Sequence, residues 1–156
     1  MSNNGMKGKR VLVTGSGTGI GREIGLEFAR EGASVVFHYA HSEDGAASAV
    51  KEARQIGSRA EVFRADFNDV ASVKNLAEQS IEFLGGLDIL VNNAGITMNL
   101  PFEKVTPEQF DTLYNVNIRS MFFLTQATLP SLLESNGVVI NLTSVHAFSG
   151  SPEHSV

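Results

Sequence analysis

A cluster of glycines near the start of the sequence has the residue types and spacing of a binding loop. Residues 14–21 read Thr-Gly-Ser-Gly-Thr-Gly-Ile-Gly and lie between an apolar run and an amphipathic stretch. Because glycine accepts positive φ angles and has no Cβ atom, such a backbone can approach a ligand closely. A helix that follows offers free N–H groups and a positive dipole end, which suit a diphosphate. The segment favours a phosphate-cradling loop, with a tight strand-to-helix turn as the alternative; Arg22 after Gly21 excludes a P-loop.

Further candidate site residues follow the ends of three later apolar runs, and one lies within a long amphipathic stretch. They are Asp66, Phe67, Asn93, Ala94, Gly95, Asn117 and Ser144. Taken singly, an acid or an asparagine at such a place forms a turn or caps a helix, and a serine is a strand-end hydroxyl. We expect Asn93 and Ser144 to face the same cleft as the glycine loop.

The elements that must position these residues follow a regular pattern. Short apolar runs alternate with amphipathic stretches, which predicts a parallel sheet with helices on both faces. Strands are predicted at residues 10–14, 34–38, 61–65, 88–92 and 138–143. Right-handed crossovers give the strand order 3-2-1-4-5, with a ligand crevice between the first and fourth strands. The fold class is therefore α/β, a doubly wound Rossmann-like sheet that lacks its carboxyl-terminal strands.

Four helices are predicted between these strands. The first covers about residues 19–30, with Ile20 at the helical spacing of its apolar residues and Gly32 as its stop. Ser42 is a candidate cap for the second. The fourth begins with the capping-box pattern Thr-Pro-Glu-Gln at 106–109 and continues as one long helix until Pro130 kinks or ends it.

Composition narrows the function classes. The 156 residues fit one domain, and a net charge of −5 argues against nucleic acid as a partner, which would need a basic patch. The absence of cysteine excludes disulfides, zinc–thiolate sites and thiol nucleophiles. The polar start and the strand-sized apolar runs predict a cytoplasmic protein with no membrane partner. The histidines lack metal-ligand spacing, so surface or loop roles are expected; His146 and Phe148 are candidates for a substrate pocket.

The order and spacing of these motifs resemble the short-chain dehydrogenase/reductase family over residues 9–156. The glycine loop matches its pattern T-G-x-x-x-G-x-G, residues 92–95 match N-N-A-G, and Asn117 and Ser144 match its helix asparagine and catalytic serine. The resemblance implies reversible hydride transfer between a nicotinamide and a carbonyl or alcohol, such as a 3-oxoacyl group, a sugar or a simple alcohol. Ser144 would steady the charge on the substrate oxygen, and Asn117 would help to hold a water in a proton relay.

The cofactor-binding residues that the resemblance implies are Gly15, Ser16, Thr18, Gly19, Ile20, Gly21, Tyr39, His41, Ser42, Asp66, Phe67, Asn93, Ala94 and Gly95. Among them, Asp66 would hold the adenine. Tyr39 stands where NAD-preferring relatives carry an acid for the ribose 2′-hydroxyl. Because no carboxylate there repels a 2′-phosphate, and His41 and Ser42 can donate hydrogen bonds to it, NADP is the expected cofactor. NAD stays open, since Thr18 stands where many NADP-preferring relatives have a basic residue.

The tyrosine that the family uses as general acid or base, and the lysine one helical turn later, are not among these 156 residues. The only tyrosines are Tyr39 and Tyr114, followed four positions later by Glu43 and Ile118. The resemblance puts the catalytic tyrosine at or just beyond Val156. We therefore expect residues 1–156 to form one dinucleotide-binding domain, incomplete at its carboxyl end, with no second domain and no turnover by itself.

Two other functions stay open on the sequence alone. One is a non-catalytic nucleotide-binding module. The other is an interaction protein that uses the fourth helix as a dimer face, with Phe110, Leu113, Met121 and Phe122 as its apolar residues. The family packs this helix between subunits, so a homo-oligomer is expected alongside the oxidoreductase function.

Overall fold

A parallel sheet of five strands forms the centre of the structure, a computed structural model that describes residues 5–144. The strands are β1 (Arg10–Val13), β2 (Ser34–Tyr39), β3 (Ala60–Arg64), β4 (Ile89–Asn92) and β5 (Val138–Asn141). Their order is β3-β2-β1-β4-β5, and each neighbouring pair is parallel. The predicted strand order and the doubly wound α/β class are thus confirmed.

Five helices connect these strands in the described part of the chain. They are α1 (Gly19–Arg30), α2 (Glu43–Gln55), α3 (Val70–Leu84), α4 (Pro107–Tyr114) and α5 (Ser120–Glu134). A 3₁₀ turn, Phe102–Lys104, precedes α4, and a π-helical turn, Asn115–Arg119, joins α4 to α5.

The core lies on both faces of the sheet, because successive side chains of a strand point to opposite sides. On β1, Val11 and Val13 pack with α1 and α2, whereas Leu12 packs with α3 and α5. All three side chains are fully buried. Coverage on both sides explains why the central strands are almost entirely apolar.

Local signals fix several helix starts. The Thr106 hydroxyl accepts from the Gln109 N–H, and the Gln109 side chain accepts from the Thr106 N–H, which confirms the predicted capping box. Asp69 caps α3 by accepting from two backbone N–H groups of its first turn. Ser42 directly precedes α2 as predicted, but within residues 5–144 its side chain makes no capping bond.

Residues 107–134 are helical without a break, as predicted after Thr106, but two details differ from the prediction. The π-helical turn Asn115–Arg119 lies within this segment, and α5 continues past Pro130 to Glu134. A proline inside a helix removes one backbone hydrogen bond. Leu124 and Leu132, which pack in the same core as α3, are buried on either side of Pro130 and keep this segment helical, since tertiary packing supplies most helix stability.

Apolar side chains are exposed along α4, the π-helical turn and α5. They are Phe110, Tyr114, Ile118, Phe122, Leu129 and Leu133, and we call this surface the α4–α5 face. Of the predicted dimer-face residues, Phe110 and Phe122 belong to it, and Met121 is half-buried. Leu113 is only 5% exposed and points into the core, so its assignment to that face is wrong.

Charged groups join the amino ends of β1 and β4. The Asp88 carboxylate accepts from the Arg10 backbone N–H (2.9 Å) and from the Arg10 Nε (2.7 Å), and Lys9 Nζ lies 3.8 Å away. Burial opposes ionisation of Asp88, but the hydrogen bonds and the charge of Arg10 outweigh it and hold the pKa of this carboxyl below its usual value.

Candidate functional site

A cleft of about 310 Å³ lies at the carboxyl ends of β1 to β4. It is lined by the glycine loop, the ends of β2 and β3, the segment after β4 and one side of α4 with the π-helical turn: Gly15, Gly17, Thr18, His38, Tyr39, Ala40, His41, Ser42, Asp66, Phe67, Asn68, Asn93, Ala94, Gly95, Ile96, Thr112 and Val116. The strand order reverses between β1 and β4, and ligands of open α/β sheets bind at such a point. The structure therefore has a cleft where the strand order predicts one.

Most of the predicted cofactor residues line this cleft, but four do not. Ser16 is buried beneath the loop. Gly19, Ile20 and Gly21 form the first turn of α1 at its margin. Ile20 is 70% exposed, so it does not pack on the apolar side of α1 that its spacing indicated.

Asn93 holds the glycine loop from the β4 side. Its Nδ2 donates to the carbonyl oxygens of Thr14 (2.9 Å) and Gly15 (3.1 Å), and the Thr14 hydroxyl accepts from the N–H groups of Asn93 and Ala94, both at 3.0 Å. Gly15 has a φ of +61°, and a Cβ there would lie 2.7 Å from the Ala94 Cα. A Cβ at Gly21 would collide with the Asn93 carboxamide. Both positions therefore require glycine, one for its backbone conformation and one for space.

His38 holds the same loop from the β2 side. Its Nδ1 accepts from the Gly15 N–H at 3.0 Å, its Nε2 lies 3.1 Å from the Ala65 carbonyl oxygen, and its ring stacks on Phe67 with 4.4 Å between centroids. Burial lowers the pKa of His38 to about 4, and the hydrogen bond to Ala65 opposes this only in part. The expected surface or loop role is wrong for this histidine, because β2 is covered on both faces of the sheet.

The amino terminus of α1 lies beside the glycine loop. In the described chain the Thr18 side chain makes no capping bond, and the first turn of α1 carries no acidic residue. The first N–H groups of a helix have no intrahelical partner and carry the positive end of its dipole. Loop and helix start can together hold an anion such as a diphosphate.

Asp66 lies on the opposite wall of the cleft, just after β3. One carboxylate oxygen accepts from the backbone N–H of Asn68 (2.9 Å) and from its side-chain nitrogen (3.1 Å). The backbone hydrogen bond from Asn68 is the main reason that the pKa of Asp66 lies below its usual value, and the side-chain bond from Asn68 and the charge of Arg64 lower it further. Asp66 is therefore ionised at neutral pH and is both a turn residue and a hydrogen-bond acceptor on the cleft wall.

Asn117 fixes part of the wall without lining the cleft. Its Oδ1 accepts from the Ile96 N–H and its Nδ2 donates to the Ile96 carbonyl oxygen, both at 2.9 Å. Ile96 is a lining residue. The pair ties the segment after β4 to the π-helical turn.

Ser144 is exposed and follows the last residue of β5 by three positions. Asn92 and Asn141 are register partners in the parallel pair of β4 and β5, so Asn93 and Ser144 leave the sheet at the same edge. The two other candidates for a substrate pocket, His146 and Phe148, lie outside the described residues.

Sequence reasoning missed several residues of the cleft. These are His38, which builds it, and Ala40, Asn68, Ile96, Thr112 and Val116, which line it; Thr14 and Gly17 lie in the predicted loop but have no role of their own in that prediction. A signal existed for His38, since a histidine within a strand buried on both faces must find hydrogen-bond partners. The lining residues carry no comparable signal, because tertiary packing alone decides their place.

Residues 5–144 contain no helix with both the length and the apolar character needed to cross a bilayer. The same residues bring together no three His, Cys, Asp or Glu side chains that would suit a metal ion. The polar chemistry of the cleft comes from backbone amides, hydroxyls, carboxamides, imidazoles and the Asp66 carboxylate.

Comparison with known sequences agrees with this geometry. The pattern of the short chain dehydrogenase family matches residues 9–156. A hydroxynaphthalene reductase-like protein of Metarhizium anisopliae is 40% identical over 152 residues, and versicolorin reductase of Emericella nidulans is 36% identical over 151 residues. Each alignment covers 97% of this chain and 57% of the relative, so the chain spans little more than half the length of these proteins.

Solved structures share the architecture. A short chain dehydrogenase from Burkholderia cenocepacia in complex with NADP has a TM-score of 0.88 and 37% identity, covering 91% of this chain and 58% of the other. An NADH-dependent reductase complexed with NAD has a TM-score of 0.92 and 30% identity, covering 99% of this chain and 67% of the other. Because one holds NADP and the other NAD, likeness of fold does not distinguish the two cofactors.

Proposed function

Because this chain belongs to the short-chain dehydrogenase family, we propose that its cleft binds a nicotinamide adenine dinucleotide for hydride transfer to and from a small carbonyl or alcohol substrate. The observation that carries the proposal is the glycine loop, held from two sides and open to the cleft at the start of α1. The cofactor supplies the hydride chemistry, and the protein supplies position and electrostatics. Residues 9–156 would belong to one dinucleotide-binding domain.

The proposed cofactor lies along the cleft from the β3 side to the β4 side. Its adenine would contact Asp66 and Phe67, and its diphosphate would lie on residues 15–21, since the first amides of a helix have no intrahelical partner. The segment 93–95 would contact the remaining half of the dinucleotide. Titration with NADPH and NADH, followed by their fluorescence, tests this; a chain that binds neither would refute it.

The proposed substrate side of the site uses Ser144 and Asn117. Ser144 would donate a hydrogen bond to the substrate oxygen and stabilise the charge that develops there. The Asn117 carboxamide already pairs with Ile96, so its contribution to a proton relay would come through the placement of the π-helical turn and the cleft wall.

The 156 residues by themselves are proposed to be inactive. They contain no Tyr-x-x-x-Lys pair, and a positioned general acid or base contributes about 10²–10⁴-fold in rate. Turnover is tested with NADPH and a panel of ketones and 3-oxoacyl thioesters. Rates of about 1–10³ per second from this chain alone would contradict the proposal.

NADP is the proposed cofactor because of the cleft wall around Tyr39. Tyr39, His41 and Ser42 line the cleft after β2, and no carboxylate is among these three. A carboxylate there would repel a 2′-phosphate, whereas a serine hydroxyl can donate a hydrogen bond to it.

The preference is tested by adding a charge at Tyr39. Tyr39→Asp should weaken NADPH binding by about tenfold or more, equivalent to about 1.4 kcal/mol, and leave NADH binding less affected. Phe102→Asp adds the same charge at an exposed aromatic residue outside both the cleft lining and the α4–α5 face, and serves as the control. Tighter binding of NADH than of NADPH by the unaltered chain would contradict the preference.

A homo-oligomer is proposed as a companion to this function, supported by the α4–α5 face. Phe122 on that face is 63% exposed, and exposed apolar patches mark interaction sites. Phe122→Asp should lower the mass measured by light scattering, whereas Phe102→Asp, at an exposed phenylalanine before α4, should not. An unaltered chain that is monomeric at all concentrations would refute it.

The proposed location of the protein is the cytoplasm, which fractionation of cells would test.

A further inference from the structure

We propose that His38 is a positioning residue of the dinucleotide site, a neutral imidazole whose Nδ1 fixes the orientation of the Thr14–Gly15 peptide and thereby the shape of the glycine loop. The inference rests on the proposed function for its effect on cofactor affinity. Its structural part, the clamp on one peptide unit, stands on the hydrogen bonds alone.

The tautomer of His38 follows from its two partners. The Ala65 carbonyl oxygen can only accept, so Nε2 must carry the proton of the hydrogen bond at 3.1 Å. The Gly15 N–H can only donate, so Nδ1 must present its lone pair at 3.0 Å. Both ring nitrogens are thus engaged, and only the neutral Nε2–H form satisfies both.

One peptide unit is held at both of its ends. Its N–H, from Gly15, donates to His38 on β2, and its carbonyl, from Thr14, accepts from Asn93 after β4. Rotation of this peptide would break both bonds and bury a donor without an acceptor, which is costly. Gly15 has a φ of +61° in this arrangement, which glycine adopts without strain.

The backbone of His38 extends the same clamp to the next loop residue. The Ser16 N–H donates to the His38 carbonyl oxygen (2.8 Å), the His38 N–H donates to the Ser16 hydroxyl (2.9 Å), and that hydroxyl donates to the Val13 carbonyl oxygen (2.7 Å). Two successive loop residues are therefore fixed to β2 before any ligand arrives. Such pre-organisation raises affinity because less freedom is lost on binding.

The imidazole also connects the loop to the opposite wall. Its face stacks on Phe67, with an interplanar angle of 8°, and Phe67 lines the cleft where the adenine is proposed to bind. Loop and wall are thus held at a fixed separation by a single buried ring.

Two substitutions that carry the same carboxamide separate the roles of the two ring nitrogens. His38→Asn places an amide oxygen at the level of Nδ1 and can still accept from the Gly15 N–H. His38→Gln places the carboxamide at the level of Nε2, where it can serve Ala65 but leaves the Gly15 N–H without its acceptor. A residue with a merely structural role would lose stability in both variants without distinguishing them in cofactor affinity.

The first measurement is the dissociation constant for NADPH from fluorescence titration at neutral pH, on variants checked for folding by circular dichroism. His38→Asn should stay within about threefold of the unaltered chain, and His38→Gln should bind about tenfold or more weakly. Equal losses of affinity in the two variants would overturn the inference.

The second measurement needs no cofactor. Hydrogen exchange of the Gly15 amide, followed by NMR, should be slow in the unaltered chain and in His38→Asn and faster in His38→Gln. Unchanged exchange in His38→Gln would overturn the clamp. A chain that bound no dinucleotide would refute the proposed function instead, and the Gly15 exchange rates would still decide whether the clamp exists.

Discussion

Acid is expected to weaken the fold of this chain mainly through His38. The pKa of a histidine in the unfolded chain is 6.5, and burial lowers that of His38 to about 4 in the folded chain. Between these values the unfolded state binds a proton that the folded state does not. The contribution of His38 to stability is therefore complete above pH 6.5 and is lost as the pH falls towards 4; at 1.36 kcal/mol per pKa unit the loss amounts to about 3 kcal/mol.

The assay is urea unfolding followed by far-ultraviolet circular dichroism at several values between about pH 7 and pH 4. The free energy of unfolding should fall by about 3 kcal/mol more in the unaltered chain than in His38→Asn, which has no titrating side chain. His41→Asn, which removes an exposed histidine, should keep the full dependence. Asp66 and Asp88 titrate below this range, because their pKa values lie below the usual 3.8, and their contributions are lost only at lower pH.

Two results would refute the reasoning. One is a pH dependence of unfolding in His38→Asn that parallels that of the unaltered chain. The other is an NMR titration in which the imidazole of His38 ionises with an ordinary histidine pKa, which would mean that the ring is solvated or differently paired in solution.

Three further substitutions, the first with a control, test other contacts. Gly15→Ala should raise the dissociation constant for NADPH about tenfold or more, since its Cβ meets the backbone after β4; Gly57→Ala, at a φ of +91° in open space, is the control that should lose about 1 kcal/mol of stability in urea and no affinity. Asp88→Asn should lower the free energy of unfolding by about 2 kcal/mol, because the hydrogen bonds of Arg10 lose their ionised acceptor, with NADPH titration unchanged. Thr106→Ala should cost about 1 kcal/mol in the same unfolding assay through loss of the capping box, and an unchanged midpoint would contradict that role.

The order of the strands could be predicted because it depends on signals that are local in sequence. Each strand is a short apolar run, each connection is long enough for a helix, and the handedness of such connections leaves few possible orders. The capping box at Thr106 is equally local, since its two partners are three residues apart. The π-helical turn at Asn115–Arg119 was not predictable from periodicity, because such a turn adds one residue to a helix without changing its residue types.

The part of the site that could be predicted consists of residues whose type and position in the sequence suffice to identify them. The glycines and the strand-end residues Asp66 and Asn93 could be recognised in this way. For His38, its place in a buried strand indicates only that the imidazole must find hydrogen-bond partners. The partner itself could not be predicted, because Gly15 lies 23 positions away and the bond exists only once β1 and β2 are paired. The prediction that Ile20 packs on the apolar side of α1 is wrong, because helical spacing identifies that side but not which residues of the first turn are exposed to solvent at the end of the helix.

The ionic contacts between β1 and β4 and the ligand cleft lie at opposite ends of the same strands. The pair of Asp88 and Arg10 ties the amino ends of β1 and β4, and the cleft lies at the carboxyl ends of the same strands. β1 is four residues long, so roughly 13 Å of strand, buried from Val11 to Val13, lies between them. Substitutions meant to raise the melting temperature are therefore best placed at the amino ends of the strands. Ion pairs added there can stabilise the sheet without changing the cleft at the carboxyl ends.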